Sequence, residues 1–441
     1  MRRYSHAMVC GLGASGLAAA RLLRAEGAHV LAVDERDTPE TQAAAAAVCA
    51  AGAAAVLGAR QPPAGEFDVA IASPGLPGDG PFLAAVRQRG IPVVAELELG
   101  WSRFRGRTLA VTGSNGKSCV VKALAECLAA AGQRAVPCGN YGPPACQAAL
   151  DPSAADWLVI EASSFQLETC AEFRTDIGVL LNVLPNHLDR HGTFDAYARL
   201  KARLFAGQRA DDFALAPPEW RALFQAWSGG AGQWATFGAA GAADYGYAPG
   251  RLAAPDGGAI DLAGSYFDND VLGPNAAALF GAALAAGVPP ATVAAVLRRF
   301  APLPHRAESV GECRGVLYVD DSKATNLAAL VASVRMQARP VWLIAGGRPK
   351  ETEFAAARPV LRDRVRGVLL IGEAAPAMAA AWRGAVPCTE CGTLARAVAA
   401  ARRAARAGEV VLLAPACTSY DQFRSYGERG DAFRKLVAEK D

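Results

Sequence analysis

A chain of 441 residues is longer than one hydrophobic core supports, so its length predicts two or three domains. With 52% hydrophobic residues, 20% charged residues and a net charge of +3, it reads as globular, and the lack of any Lys/Arg-rich run speaks against nucleic acid. The alanine-rich "TQAAAAAVCAAGAAAVL" is too short and weakly apolar to span a bilayer. Eleven cysteines in scattered apolar contexts, with one isolated C-x-x-C at Cys388 and Cys391, predict a reduced cytoplasmic protein without zinc.

At the N-terminus, "MRRYSHAMVCGLGASGLAAARLL" places two arginines before an apolar run, as a secretory signal does, but its glycines fit a strand-to-helix turn better. Gly11, Gly13 and Gly16 form a G-x-G-x-x-G after a predicted strand, and Asp34 ends the next one. Such a turn lets a diphosphate approach a helix N-terminus while an acid holds a ribose hydroxyl; the same glycines also serve a tight turn with no ligand. Taken at face value, this fingerprint suits a nicotinamide- or flavin-dependent oxidoreductase. Apolar runs alternate with helical stretches over residues 1–98, which predicts a parallel sheet with helices packed on it.

The pattern restarts over residues 99–302 with "TLAVTGSNGKS", "DWLVIEASSF" and "DIGVLLNV". In "VTGSNGKSCV" a strand turns through Gly113, Ser114, Asn115 and Gly116 and presents Lys117 and Ser118 at a helix start. Lysine there reaches terminal phosphates and the serine hydroxyl meets a metal ion, which predicts ATP with Mg²⁺. The first glycine of the usual P-loop spacing is replaced by Val111. Glu161 ends an apolar strand, and "LLNVLPNHLDRHG" places Asn182, Asn186, His187, Asp189 and His191 after another. Strand C-termini are where α/β sheets gather ligands, so Glu161 and His187 are candidate metal ligands. By position alone Lys201, in "ARLKARLF", reads as a surface helix residue. Between about 205 and 270 the pattern loosens into Gly/Ala/Pro-rich chain with short strand-like pieces, a candidate small antiparallel sheet.

After the prolines of "FAPLPHR" a third segment, residues 303–441, repeats strand and helix. Its strand ends carry His305, Arg306, Asp321, Lys323, Thr325, Asn326, Lys350, Ser419, Asp421 and Tyr426, polar groups that a plain α/β domain does not require.

Together, "TGSNGKS", "EASSFQLE", "NHLDRH", "LPHR", "DDSKATN" and "PACTSYDQF" resemble the Mur ligases, and within them the members that add glutamate to UDP-N-acetylmuramoyl-L-alanine. The resemblance runs over essentially the whole chain. It implies three α/β domains: a Rossmann-like one for the UDP moiety, a central P-loop-type ATPase with a mainly parallel sheet, and a Rossmann-like C-terminal one for the amino acid. The implied reaction is ATP-dependent amide formation through an acyl phosphate, in cytoplasmic peptidoglycan precursor synthesis. A monomer acting on small molecules, away from nucleic acid and membrane, is also implied. By resemblance Ala14, Ser15, Asp34, Arg36, Ser73 and Gly75 surround the uracil and diphosphate, while Asn140 and Ser163 touch the muramoyl-alanine part. Lys117 and Ser118 hold the ATP phosphates and a first Mg²⁺, Glu161 and His187 carry metal, and Lys201 is a carbamylated lysine supporting a second ion. Asn275, Arg306, Asp321 and Lys323 serve the nucleotide; Thr325, Lys350, Ser419 and Tyr426 receive glutamate, of D or L configuration. The sequence departs from the family pattern at Cys119, Asn186, Pro274, Ala278, Tyr426 and in "GGRPKETEF".

Overall fold

The structure is a computed structural model that describes residues 3–151 and 155–439. Strands β1 (His6–Cys10), β2 (His29–Asp34), β3 (Ala54–Leu57), β4 (Val69–Ala72) and β5 (Val93–Ala95) form a parallel sheet in the order β3-β2-β1-β4-β5. All four residues of β4 and the last four of β1 are buried, because helices cover both faces; hence the continuous apolar runs in place of alternation. The strand order reverses between β1 and β4, which opens a crevice beyond their C-terminal ends, where Gly11 and Ser73 follow.

The second sheet has nine strands. β6 (Arg107–Thr112), β7 (Ala135–Gly139), β8 (Trp157–Glu161), β9 (Ile177–Leu180), β10 (Phe213–Ala216) and β11 (Gln233–Ala239) are parallel in the order β11-β10-β9-β6-β8-β7. The small antiparallel sheet expected between about 205 and 270 is instead a continuation of this sheet, and its first strands are parallel. β11 pairs with β10 through Gln233–Thr236 and then with β12 (Tyr245–Ala248) through Phe237–Ala239, so β12, β13 (Arg251–Ala253) and β14 (Ala259–Asp261) extend the same sheet, antiparallel only from β12 outward. The seven residues of β11 let one strand serve both neighbours. Helix Lys117–Ala130 buries Val120, Val121, Leu124 and Leu128 against this sheet's core.

The third sheet runs β15-β16-β20-β17-β18-β19, from β15 (Glu308–Cys313), β16 (Val316–Asp320), β17 (Val341–Gly346), β18 (Val365–Ile371), β19 (Cys388–Gly392) and β20 (Val410–Leu413). Only the β15–β16 hairpin is antiparallel. Side chains fix the helix starts here: Asn326 caps Leu327–Arg335 and Ser425 caps Tyr426–Ala438, each accepting a backbone N–H three residues on.

The chain divides into two compact units. One runs to Phe267 and includes Gly273–Arg299, so it holds the first two sheets; the other comprises Asp268–Leu272 and the chain from Phe300 onward. Among the described residues, no helix is long and apolar enough to cross a membrane.

Candidate active site

Three strand ends of the nine-stranded sheet meet at one loop. Gly113 (φ +151) and Gly116 (φ +87) turn the chain from β6 into helix Lys117–Ala130. A Cβ on Gly116 would lie 2.5 Å from Nδ2 of Asn275, so that side chain leaves no room for anything larger. Asn182, just past β9, braces the loop: its Oδ1 accepts from Ser114 N (3.1 Å) and Asn115 N (2.9 Å), and its Nδ2 donates to Asn115 O (3.1 Å). Ser114 Oγ lies 3.1 Å from the Tyr197 hydroxyl and accepts from Leu184 N at 2.8 Å. The half-buried Lys117 donates from Nζ to the carbonyls of Gly113 (2.9 Å) and Ser114 (3.1 Å), lying over the loop it would serve.

Beside the loop, Glu161 at the end of β8 is 2% exposed; its Oε2 accepts from Ser118 Oγ and its Oε1 from Asn140 Nδ2, both at 2.6 Å. Lys201, which by position reads as a surface residue, is 1% exposed and donates to Gly113 O at 2.9 Å. Burial pushes its amine well below the usual ammonium range, the charge of Lys117 adds to this, and Glu161 opposes it. His187 is exposed, in a left-handed conformation (φ +54), with its ring 4.8 Å from that of Phe165. Ser163 caps the short helix Ser164–Leu167 in a reciprocal pair with Gln166. A buried carboxylate and a hydroxyl converging on a phosphate loop are hard oxygen donors, so these residues fit Mg²⁺.

The first sheet's crevice is a cavity of about 500 Å³, bordered by Gly13, Ala14, Ser15, Asp34, Ser73 and Gly75 with Arg36 at its edge. Gly13 caps helix Ala14–Ala25 without a side-chain bond, which leaves helix N–H groups for an anion. Gly16 is required by packing, since its Cβ would lie 1.8 Å from Gly11 O. Burial opposes the charge of Asp34, yet N–H donors of Leu12 (2.8 Å) and Arg36 (2.9 Å) and the Arg36 guanidinium outweigh it and hold the carboxyl below its usual range.

In the second unit, residues from three strand ends gather. Lys323 Nζ lies 3.9 Å from the Tyr426 ring centre, and Ser322 Oγ donates to Tyr426 O at 2.8 Å. Arg429, 1% exposed, donates to Ser322 Oγ and to the carbonyls of Ser322, Cys417 and Thr418, which fixes the segment carrying the buried Ser419. His305 Nδ1 is 2.6 Å from the buried Asp320. Asp321 is pushed up to about 6 by burial, against which Arg306 acts. Lys350 is exposed; its neighbour Glu351 accepts from Leu327 N, close to Thr325 in sequence.

Three family profiles match: the Mur ligase MurD-like N-terminal domain over residues 5–95, the Mur ligase middle domain over 111–266 and the Mur ligase glutamate ligase domain over 305–417. A Nitratidesulfovibrio vulgaris protein named UDP-N-acetylmuramoylalanine–D-glutamate ligase is 42% identical over 439 residues, 98% of this chain and 95% of that one. The chain belongs to the Mur ligase family. Mur ligases are ATP-dependent amide ligases. Another relative of the same name, from Anaeromyxobacter dehalogenans, is 41% identical and covers 98% of this chain and 97% of its own. Among solved structures, Thermotoga maritima MurF ligase in complex with ADP gives a TM-score of 0.64 at 17% identity over 93% of this chain and 95% of that one, a likeness of fold.

Two groups shape the site of this Mur ligase through contacts that the sequence does not reveal. Asn182 was visible as a polar residue at a strand end, but its double grip on the loop depends on β9 lying beside β6. Arg429 lies in a helix whose sequence gives no sign that one arginine ties together four backbone and side-chain acceptors.

Proposed function

We propose that this Mur ligase joins D-glutamate to UDP-N-acetylmuramoyl-L-alanine in the cytoplasm, as a monomer, with ATP converted to ADP and phosphate. The observation that carries the reading is the convergence of Lys117, Ser118, Glu161 and Lys201 on one glycine-turned loop. The names of the relatives supply the substrates.

A carboxylate does not condense with an amine at neutral pH unless activated. In the proposed reaction the alanyl carboxylate oxygen attacks the γ-phosphorus and ADP departs, leaving an acyl phosphate. The neutral amine of glutamate attacks the acyl carbon; as the tetrahedral intermediate collapses, the C–O bond to phosphate breaks and the amine proton passes to solvent or phosphate. Lys117 exchanges its two carbonyl partners for phosphate oxygens and neutralises charge that would keep the anions apart. Mg²⁺, when bound, supplies further charge neutralisation to the phosphates; Ser118, Glu161 and His187 would hold it, and a carbamylated Lys201 would support a second ion. Gly113, Ser114, Asn115 and Gly116 offer backbone N–H groups to phosphate, and Asn275, Arg306 and Asp321 are assigned to the rest of the nucleotide. Lys323 is assigned to the reacting phosphoryl group. Ala14, Ser15, Asp34, Arg36, Ser73 and Gly75 hold the uridine diphosphate, with Asn140 and Ser163 toward the acyl end. Thr325, Lys350, Ser419 and Tyr426 take the glutamate. Residues 1–98, 99–302 and 303–441 are the corresponding domains.

The test is phosphate release with UDP-N-acetylmuramoyl-L-alanine and either enantiomer of glutamate. Release with D-glutamate and not L-glutamate is expected. Release with L-glutamate alone would replace the reading by its stereochemical counterpart, and release with neither would remove it.

A further inference from the structure

Two residues in the sequence motifs have no part in the scheme above: Glu168, the last residue of "SSFQLE", and Arg190, in "NHLDRH". Their side chains are 10% and 15% exposed and meet as a fork, Arg190 Nε to Oε1 at 3.0 Å and one terminal nitrogen to Oε2 at 2.7 Å. Both partners also grip the backbone of a single loop. Gly78 N donates to Glu168 Oε2 at 2.9 Å, and Arg190 donates to Leu76 O at 2.7 Å and Gly75 O at 3.3 Å. That loop follows β4, and its residues Ser73, Gly75, Leu76 and Pro77 form one wall of the 500 Å³ cavity.

Arg190 also faces the other way. Its guanidinium lies 4.3 Å from the centre of the Phe165 ring, and the same ring packs against His187 at 4.8 Å and His191 at 5.3 Å. His191 is held between Ser164 Oγ (3.0 Å) and Glu168 Oε1 (3.3 Å), and burial lowers its pKa. A partly buried, forked ion pair is a rigid connector, because both charges lose more by parting than an exposed pair would. One connector therefore joins the wall of the first sheet's cavity to the segment that carries His187.

We propose that Glu168 and Arg190 are positioning residues that couple occupancy of the first-sheet cavity to the phosphate-and-metal site, so that each ligand tightens the other. The cavity's occupant is the nucleoside diphosphate of the substrate, which rests on the function proposed above. A ligand that packs on the loop holds Gly75 to Gly78 in the bonded arrangement, and through Arg190 and Phe165 it holds His187. The coupling is reciprocal, since linkage between two binding equilibria has no direction.

The experiment is calorimetric titration of the full chain with UDP-N-acetylmuramoyl-L-alanine, with and without a non-hydrolysable ATP analogue and Mg²⁺. In the wild type the analogue is expected to tighten the UDP ligand about tenfold. In Glu168→Gln that ratio is expected to fall below about twofold, while each ligand alone binds within about threefold of wild type. Arg190→Lys, which keeps the charge but loses the fork, probes the same pair from its other end and serves if Glu168→Gln does not fold. An unchanged ratio in the variants, a wild type with no coupling, or equal weakening of both ligands at constant ratio would each overturn the proposal. Failure of the wild type to bind the UDP ligand at all would instead strike the functional reading.

Discussion

Lys201 Nζ is 2.9 Å from the carbonyl oxygen of Gly113, sealed from solvent beneath the loop that opens the Lys117 helix. Burial, and after it the charge of Lys117, drive its pKa well below the usual ammonium range, which favours the neutral amine more than at a surface lysine. A neutral amine is a nucleophile for carbon dioxide. Protein equilibrated with ¹³C-labelled bicarbonate is expected to give a carbamate carbon resonance that Lys201→Arg lacks, and that variant is expected to lose about 10- to 100-fold in kcat. A variant as active as wild type would show that the buried amine has no part in turnover.

Lys117 donates to the carbonyls of Gly113 and Ser114 and does not line the first sheet's cavity, so its removal should spare that cavity. Lys117→Ala is expected to lower kcat by at least about a hundredfold while the dissociation constant for the UDP substrate changes less than about threefold. Stopped-assay ADP measurement with parallel calorimetry reads both quantities.

Asn182 makes three bonds with the phosphate loop from a neighbouring strand end. Asn182→Leu keeps the volume and removes them all. At about 1 kcal/mol for each bond lost, the KM for ATP should rise by about tenfold or more with little change in the KM for glutamate. A uniform loss across all three substrates would point instead to general loosening.

Glu96 is 1% exposed, accepts from Cys146 N at 2.7 Å and is pushed up to about 7 by burial. Its folded-state value lies above the unfolded one, so between about pH 4.5 and 7 the native state binds more protons. Stability must therefore fall as pH rises through that window, by up to about 3 kcal/mol. Glu96→Gln, which keeps the acceptor for Cys146, is expected to flatten this dependence in urea titrations at pH 5 and pH 7.5. An identical slope in both proteins would place the titration elsewhere.

The parallel sheets were legible because buried strands leave unbroken apolar runs and because turn glycines have few other uses. The phosphate loop was legible for the same reason: Gly113 and Gly116 occupy left-handed backbone regions that other residues rarely adopt. Lys201 was legible only through resemblance, since nothing in its own helix reveals that Gly113 lies above it. Glu168 and Arg190 stood inside motifs without an evident task, because their partners, Gly75, Leu76 and Gly78, lie far away in sequence. The extension by β12, β13 and β14 escaped because Gly/Ala-rich strands carry little alternation, and a two-sided β11 is a property of pairing rather than of composition.

The order of strands in the nine-stranded sheet also bears on how the protein is made. β6 lies between β8 and β9, and Asn275, which packs on Gly116, arrives later still. A chain still emerging from the ribosome therefore displays the signature loop long before the walls that shape it exist. Non-local pairing of this kind delays assembly, so the loop takes its final shape only after residue 275 has been synthesised.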